Sequence, residues 1–418
     1  MKYITFQGFS FNHLFFIFYF ISSFIRKRIH EPLFGEHIQI SGLYYQMYIN
    51  TISHFFTIIP YLISKCLTKK EIAKIEEIKR IKGTKSIKYI YSEQEEIITR
   101  PKSLLKYTLV VSIFDFSAEL FINIFYFFND KTDVLWYYSL RIYSIFNTIM
   151  QYIVSYFILK TYFYKHHYLS FSINFFCTFI FLIIDIITIV ENEIRDYQYY
   201  ILIFMRLFRL TCFAFGDGYS KKVLYSEFLS PYSLLLYKAI YETIFLIIIS
   251  IPFIFLKTND LYIDNDNIFK GFPEHMSGMK LLYSFCFMIC QFFYNLFLMI
   301  IIDRFSPSHL PLAYFLESLG FAIYDIITKL ISGKEIDWLS YINFVVYIIL
   351  FIGAMIHNEI IIINACGFNS YTKLNMNQKF QEETKNIDKI LSDEESNNED
   401  YDEEKKLEKS GIILHDLS

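Results

Sequence analysis

The chain has 418 residues, of which 54% are apolar and 20% aromatic, with a formal net charge of −3 and a mean hydropathy of +0.33. A soluble protein of this length would divide into two or three domains. Here apolar runs near 20 residues recur from end to end, and about 20 apolar residues carry a helix across roughly 30 Å of hydrocarbon, so the composition excludes a soluble globular protein and predicts an all-α integral membrane protein.

About ten transmembrane helices are expected, over 6–25, 42–66, 104–128, 134–159, 167–190, 198–216, 232–256, 279–302, 309–330 and 341–364. The first lacks a basic leader and a small-residue cleavage site, and Arg26, Lys27 and Arg28 follow it, so it reads as a retained helix rather than a signal peptide. The chain divides into the first two helices (1–66), a basic cytosolic loop (67–103), an eight-helix core (104–365) and an acidic tail (366–418) whose low hydrophobicity predicts disorder. The loop reads as a solvated linker, with contact to anionic lipid as the alternative. In the tail, Ser392 precedes three acids, a pattern that suits an acidophilic kinase, against the plainer reading of a solvated segment.

An even number of spans puts both termini on one side. Lys and Arg number 18 on the side of the termini and ten on the other, which places both termini in the cytosol. Arg26–Arg28 oppose that count. No N-glycosylation sequon occurs. The six cysteines lie in or beside apolar segments, as small core hydrophobes do. Cys286 and Cys290 are four apart without a histidine or carboxylate beside them, so no metal site is expected. Neither a phosphate loop nor a dinucleotide fingerprint is present, and neither cofactor nor nucleic acid is expected.

The informative feature is polarity inside the apolar runs. Residues four apart lie on one helix face. Asp115, Glu119 and Asn123 form such a stripe on the third span. The fourth carries Arg141, Ser144, Asn147, Thr148 and Gln151, and the sixth Arg206 and Arg209. The seventh carries Lys238 and Glu242, spaced to pair with each other. The eighth carries Ser284, Gln291 and Asn295, and the ninth Glu317, Tyr324, Asp325 and Thr328. A charge at the bilayer centre costs about 2.5–3.5 kcal/mol on insertion scales. These groups therefore face the bundle interior, where the acids of span three and the arginines of spans four and six are natural complements. The competing reading is structural ion pairs and interhelical hydrogen bonds, at about 0.6 kcal/mol each.

The local phrases resemble a known family. SIFDFSAELFINIF (112–125) is similar to the third helix of the drug/metabolite transporter superfamily, close to its nucleotide-sugar-transporter-like branch. LRIYSIFNTIMQYIVSYFILKTYF resembles the fourth helix, SKKVLYSEFLSPYSLLLYKAIYETI the connection from the sixth to the seventh, and RFSPSHLPLAYFLESLG the start of the ninth. The resemblance spans about 104–365. It implies two five-helix halves of inverted topology, a substrate cavity between them near the midplane, and a Golgi, ER or other endomembrane location. The chain departs from the family in having only 13 glycines, so close helix crossings are expected to rely on Ala, Ser and Thr.

On this reading the protein moves a small polar or charged solute, a nucleotide sugar or other metabolite, by alternating access. Asp115 and Glu119 would take a cationic group or protons, and Arg141, Arg206 and Arg209 an anionic one. Asn123, Asn147, Gln151, Glu242, Gln291, Asn295, Glu317 and Asp325 complete the expected substrate-binding set. The partners expected are the bilayer and the solute, and a homodimer is compatible with the reading. The alternative is a non-transporting scaffold or receptor that works through its loop and tail. An enzyme ranks last. His166, His167, His357 and Glu359 lie at helix ends, without a zincin spacing or a recognisable Ser/His/Asp set.

Overall fold

The computed structural model describes residues 4–6, 11–34, 40–66, 101–129, 135–191, 197–226, 229–255, 278–370, 372 and 375–376. Most of the basic loop, the tail beyond 376 and Ser392 lie outside the described residues. Among those described there are ten α-helices: α1 (Leu14–Phe34), α2 (Ile40–Phe55), α3 (Pro101–Asn129), α4 (Leu135–Phe157), α5 (Lys165–Glu191), α6 (Tyr197–Ser226), α7 (Pro231–Phe255), α8 (Gly278–Arg304), α9 (Pro311–Ile331) and α10 (Trp338–His357). After a two-residue break the chain beyond α2 is helical again over 58–66. Among the described residues, five stretches, against the ten expected, are long and apolar enough to cross a membrane: Lys165–Ile187, Pro231–Ile251, Gly278–Arg304, Pro307–Ile331 and Trp338–His357.

Local chemistry explains the boundaries. Pro101, Pro231 and Pro311 open α3, α7 and α9, where a missing N–H costs nothing and the fixed φ suits the first turn. Asp337 caps α10 by accepting the Ser340 N–H at 3.2 Å. Gly333, at φ +65°, turns the chain after α9. Many hydroxyls inside the helices bond back to the carbonyl four residues before, as in Ser112 to Thr108, Thr178 to Asn174, Thr211 to Leu207 and Thr243 to Ala239. Thr328 does the same with Tyr324, so that part of the ninth stripe is satisfied within its own helix.

Several expected boundaries move. The first helix lies at 14–34, not 6–25, the second breaks after Phe55, the sixth runs on to Ser226 rather than 216, and the last ends at His357, not 364. The first and last of these shifts go with one feature. Ile4–Phe6 (β1) pairs antiparallel with Ile361–Ile363 (β2), the described exception to the all-helical expectation, and this ties the start of the chain to the end of the core. The first helix then runs on through Arg26–Arg28, which pack on rings of α8 and α9 instead of forming a loop: Arg26 sits 4.0 Å from the Tyr294 ring centre and Arg28 3.6 Å from that of Tyr324.

The helices pack in an ordered way. α3 lies along α6, and α1 along α8. α4 packs on α6 and on α5, while α9 packs on α1 and on α10. α3 meets α7, and α8 meets α2. α2 packs on α7 and α5 on α10. One continuous core includes Phe16, Tyr19, Phe181, Met299, Phe315 and Leu350. The outward faces of α5 and α7 are apolar, with Phe175, Phe176, Phe179, Ile244, Ile247 and Ile248 exposed, as a lipid-facing surface requires.

Glycine, though scarce, also sits where helices come close, beside the expected Ala, Ser and Thr. A Cβ on Gly216 would stand 2.3 Å from Asp115 Oδ1 of α3, and one on Gly218 2.2 Å from Val154 Cγ1 of α4. On α9, a Cβ on Gly320 would stand 2.5 Å from the Phe20 ring of α1. Small residues let helix backbones approach where lipid offers no hydrophobic drive. Gly218→Ala is therefore expected to lower stability by about 1–3 kcal/mol, the usual cost of overpacking. Thermal unfolding in detergent reads this directly, and an unchanged melting temperature would refute the close α4–α6 crossing.

Candidate functional site

Four helices each present two polar side chains four residues apart, and all four pairs face one cavity. α2 brings Asn50 and His54, α3 Asp115 and Glu119, α7 Lys238 and Glu242, and α8 Gln291 and Asn295. Asp217 of α6 closes the ring, and Phe116, Phe213, Leu298 and Met299 supply apolar wall. The free space is about 30 Å³, room for about two waters on the usual requirement of 10–15 Å³ each. The site is thus collapsed around its own charges.

Those charges are matched in pairs. The Lys238 ammonium contacts the Asp115 carboxylate directly. His54 Nδ1 lies 2.7 Å from Glu242 Oε2, and His54 Nε2 lies 2.6 Å from the Asn295 amide nitrogen. Asn50 donates to Glu119 Oε2 at 3.1 Å, and the Gln151 amide donates to the buried Asp217 carboxylate. Opposite charge and N–H donation are the two ways a buried carboxylate recovers lost hydration.

The network continues toward α1. Arg26 donates to Gln291 Oε1 at 2.8 Å and stacks on Tyr294, whose hydroxyl accepts from Tyr19 at 3.0 Å. Lys27 pairs with the buried Glu317 of α9. Arg206 is buried with its guanidinium 4.1 Å from the Tyr143 ring centre, and Arg209 lies 5.5 Å from that of Phe213. A desolvated cation over an aromatic face contributes about 2 kcal/mol.

The structure gathers Asp115, Glu119, Glu242, Gln291 and Asn295 at the cavity, with Gln151 bonded to its wall residue Asp217. Asn147 is buried on α4, away from the cavity lining. Glu317 belongs to the α1–α9 contact. Asp325 stands apart. It is half exposed, pairs with Lys329 at 3.0 Å and accepts from Ser340 near the α9–α10 turn. Asn123 and Arg141 lie on α3 and α4, with their side chains outside the described residues. Two expected pairings change. Lys238 meets Asp115 rather than its i,i+4 neighbour Glu242, and Glu242 meets His54. The acids of α3 are thus met from α7 and α2, where the sequence suggested arginines of α4 and α6.

Sequence reasoning missed His54, Asn50, Asp217, Arg26 and Lys27. Asn50 and His54 carry the same i,i+4 spacing as the other stripes and were legible. Asp217 falls one residue beyond the expected sixth span, and the arginine cluster was assigned to a loop.

The terminal histidines also come together. The His166 and His167 rings are 3.9 Å apart, His167 and His357 4.5 Å, and His309 and His357 5.2 Å. Glu359 Oε1 is 3.5 Å from His166 Nε2. His357 is 1% exposed, and among the described residues neither ring nitrogen has a hydrogen-bond partner. Among those residues, too, no three His, Cys, Asp or Glu side chains are placed to share a metal ion.

In comparisons with known proteins, no family model matches the chain and no curated sequence matches it.

Removing one partner of a buried pair leaves an uncompensated charge and costs about 3–5 kcal/mol. Asp115→Asn and Lys238→Met are each expected to destabilise on that scale, and the double variant to cost clearly less than their sum. A double-mutant cycle in detergent measures the coupling. Additive losses would mean that the two side chains do not pair.

Proposed function

We propose that this chain is a multi-pass transporter that moves a small polar or charged solute by alternating access between two five-helix halves, α1–α5 and α6–α10. The observation that carries the reading is where the polar contacts run. Asp115–Lys238, His54–Glu242, His54–Asn295, Gln151–Asp217, Arg26–Gln291 and Lys27–Glu317 all join one half to the other. A structural ion pair is as useful within a half as between halves. Polar groups concentrated at the joint suit a seam that opens to water.

The packing order supports the same division. Adding five to each helix number turns the α1–α8 contact into α6–α3, α9–α1 into α4–α6, α9–α10 into α4–α5, and α8–α2 into α3–α7, and each of these contacts occurs. The α2–α7, α5–α10 and α4–α9 contacts map onto themselves. An internal repeat of five spans has an odd number of crossings. If all ten helices cross, the second half is inverted, the arrangement in which secondary transporters hold a site at the repeat interface. The same reading places both termini in the cytosol and the protein in an endomembrane.

A cavity with room for two waters is a closed state, and rocking of the halves would enlarge it at the cost of the inter-half pairs. A bound solute would replace those pairs with its own charges. The side-chain set suits a solute carrying both a cationic and an anionic or hydrogen-bonding group, such as an amino acid; sugar phosphates and nucleotide sugars would use only its cationic and hydrogen-bonding side chains.

The test is a thermal-shift screen of the purified chain in detergent against nucleotide sugars, nucleotides, sugar phosphates, amino acids and polyamines. A ligand at a hundredfold excess over Kd is expected to stabilise by about 2.7 kcal/mol, and the gain should vanish in Glu119→Gln and Gln291→Ala variants that remain folded. If no compound shifts the wild type, or if the variants respond equally, the cavity is not a solute site.

A further inference from the structure

We propose that His54 is a proton-binding switch at the seam, and that the proton is the ion coupled to solute movement. This rests on the transporter reading above and adds its coupling ion. His54 is buried at the centre of the cavity and bound on both ring nitrogens by residues of the opposite half. The two partners are chemically unlike. Glu242 is an acceptor when ionised, while Asn295 presents its amide nitrogen, a donor. One neutral tautomer satisfies both: Nδ1–H donates to Glu242, and the Nε2 lone pair accepts from Asn295.

Adding a proton to that lone pair changes one contact and spares the other. The imidazolium keeps its Nδ1–H bond to Glu242 and strengthens it, because the bond is now charge-assisted. At Nε2 two donors then face each other, so the Asn295 amide either turns its Oδ1 to accept from Nε2–H, which would keep α2 on α8, or withdraws, which would free it. The switch is the withdrawal: protonation holds α2 to α7 and, when the amide withdraws, loosens α2 from α8.

The surroundings favour a proton over a metal cation. Hard cations require several oxygen ligands, but here the carboxylates are already engaged by N–H groups or by ammonium. The titratable groups facing His54 are Asp115 and Glu119 from α3, Asp217 from α6, and Lys238 and Glu242 from α7. α8 presents the amides Gln291 and Asn295, with Arg26 of α1 behind Gln291. Histidine is the side-chain type whose ordinary charge change falls between pH 5 and 8.

The proposal is tested on the full chain in detergent, with ¹⁵N-labelled histidine and His54→Gln to assign the signal. His54 is expected as the Nδ1–H neutral tautomer at pH 8 and as imidazolium on acidification. Asn295→Asp supplies an acceptor for Nε2–H and should tighten proton binding at least tenfold, moving the titration upward by a unit or more. The gate is read separately, as maleimide labelling of Thr51→Cys in the cavity wall, with the modified peptide identified by mass spectrometry. Relative to the same cysteine in a His54→Gln background, which holds the local bonds without a charge change, labelling should rise at least fivefold from pH 8 to pH 6. A single protonation state of His54 from pH 5 to 9, a titration unmoved by Asn295→Asp, or labelling that tracks the His54→Gln control would each overturn the proposal. None of these results depends on a solute, so their failure leaves the ligand screen standing. A silent ligand screen beside a titrating, gating His54 would instead sink the transporter reading, and with it the coupling to a solute, and keep only the proton switch.

Discussion

A charge far from water must be met by another charge or by a hydrogen bond, and the rest of this structure depends on that constraint. Desolvating one ion costs several kcal/mol even after relaxation. The chain places about ten ionisable side chains among apolar helices, and the buried ion pairs described among them bring together different helices. Lys238 and Asp115, His54 and Glu242, and Lys27 and Glu317 are therefore more than decoration on a bundle held by apolar packing. They favour these helices as neighbours, because separating a pair would leave a buried charge unmatched.

Apolar packing then sets how close those neighbours come. On the outside, isoleucine and phenylalanine on α5 and α7 face away from the bundle. On the inside, Gly216 and Gly218 remove the side chains that would hold α6 away from α3 and α4. The two effects meet at one spot. The space above Gly216 is taken by the Asp115 carboxylate, which from there reaches Lys238. Close backbone approach and the central ion pair are thus one device, and a larger residue at 216 would disturb both.

Aromatic side chains carry the polar network where acids run out. Arg26 lies on Tyr294, Arg28 on Tyr324 and Arg206 on Tyr143. A ring face accepts a cation without adding a counter-charge, so these rings help keep the arginines buried or half-buried. A joint made of such contacts and of matched pairs is held by many shared polar groups rather than by one continuous apolar surface.

The sequence by itself determined the mostly helical, membrane-type class and most of the polar stripes, because hydropathy and the 3.6-residue period are local properties; of the ten expected spans, five are long and apolar enough to cross among the described residues. The i,i+4 pairs on α3, α7 and α8 could be read directly, and Asn50 with His54 on α2 could have been found by the same rule. Only the tertiary structure decided who pairs with whom. The spacing of Lys238 and Glu242 suggested a bond within one helix, yet each turned to a different neighbour, because in a buried seam the strongest available partner outweighs the nearest in sequence. Arg26–Arg28 resembled a loop until the pairing of residues 4–6 with 361–363 displaced the first helix along the chain. Asp325 matched the stripe pattern but lies beyond the cavity, since a helix face lists candidates without saying how deep each one sits. Depth, pairing and register arise from contacts between segments hundreds of residues apart, and no local pattern encodes them.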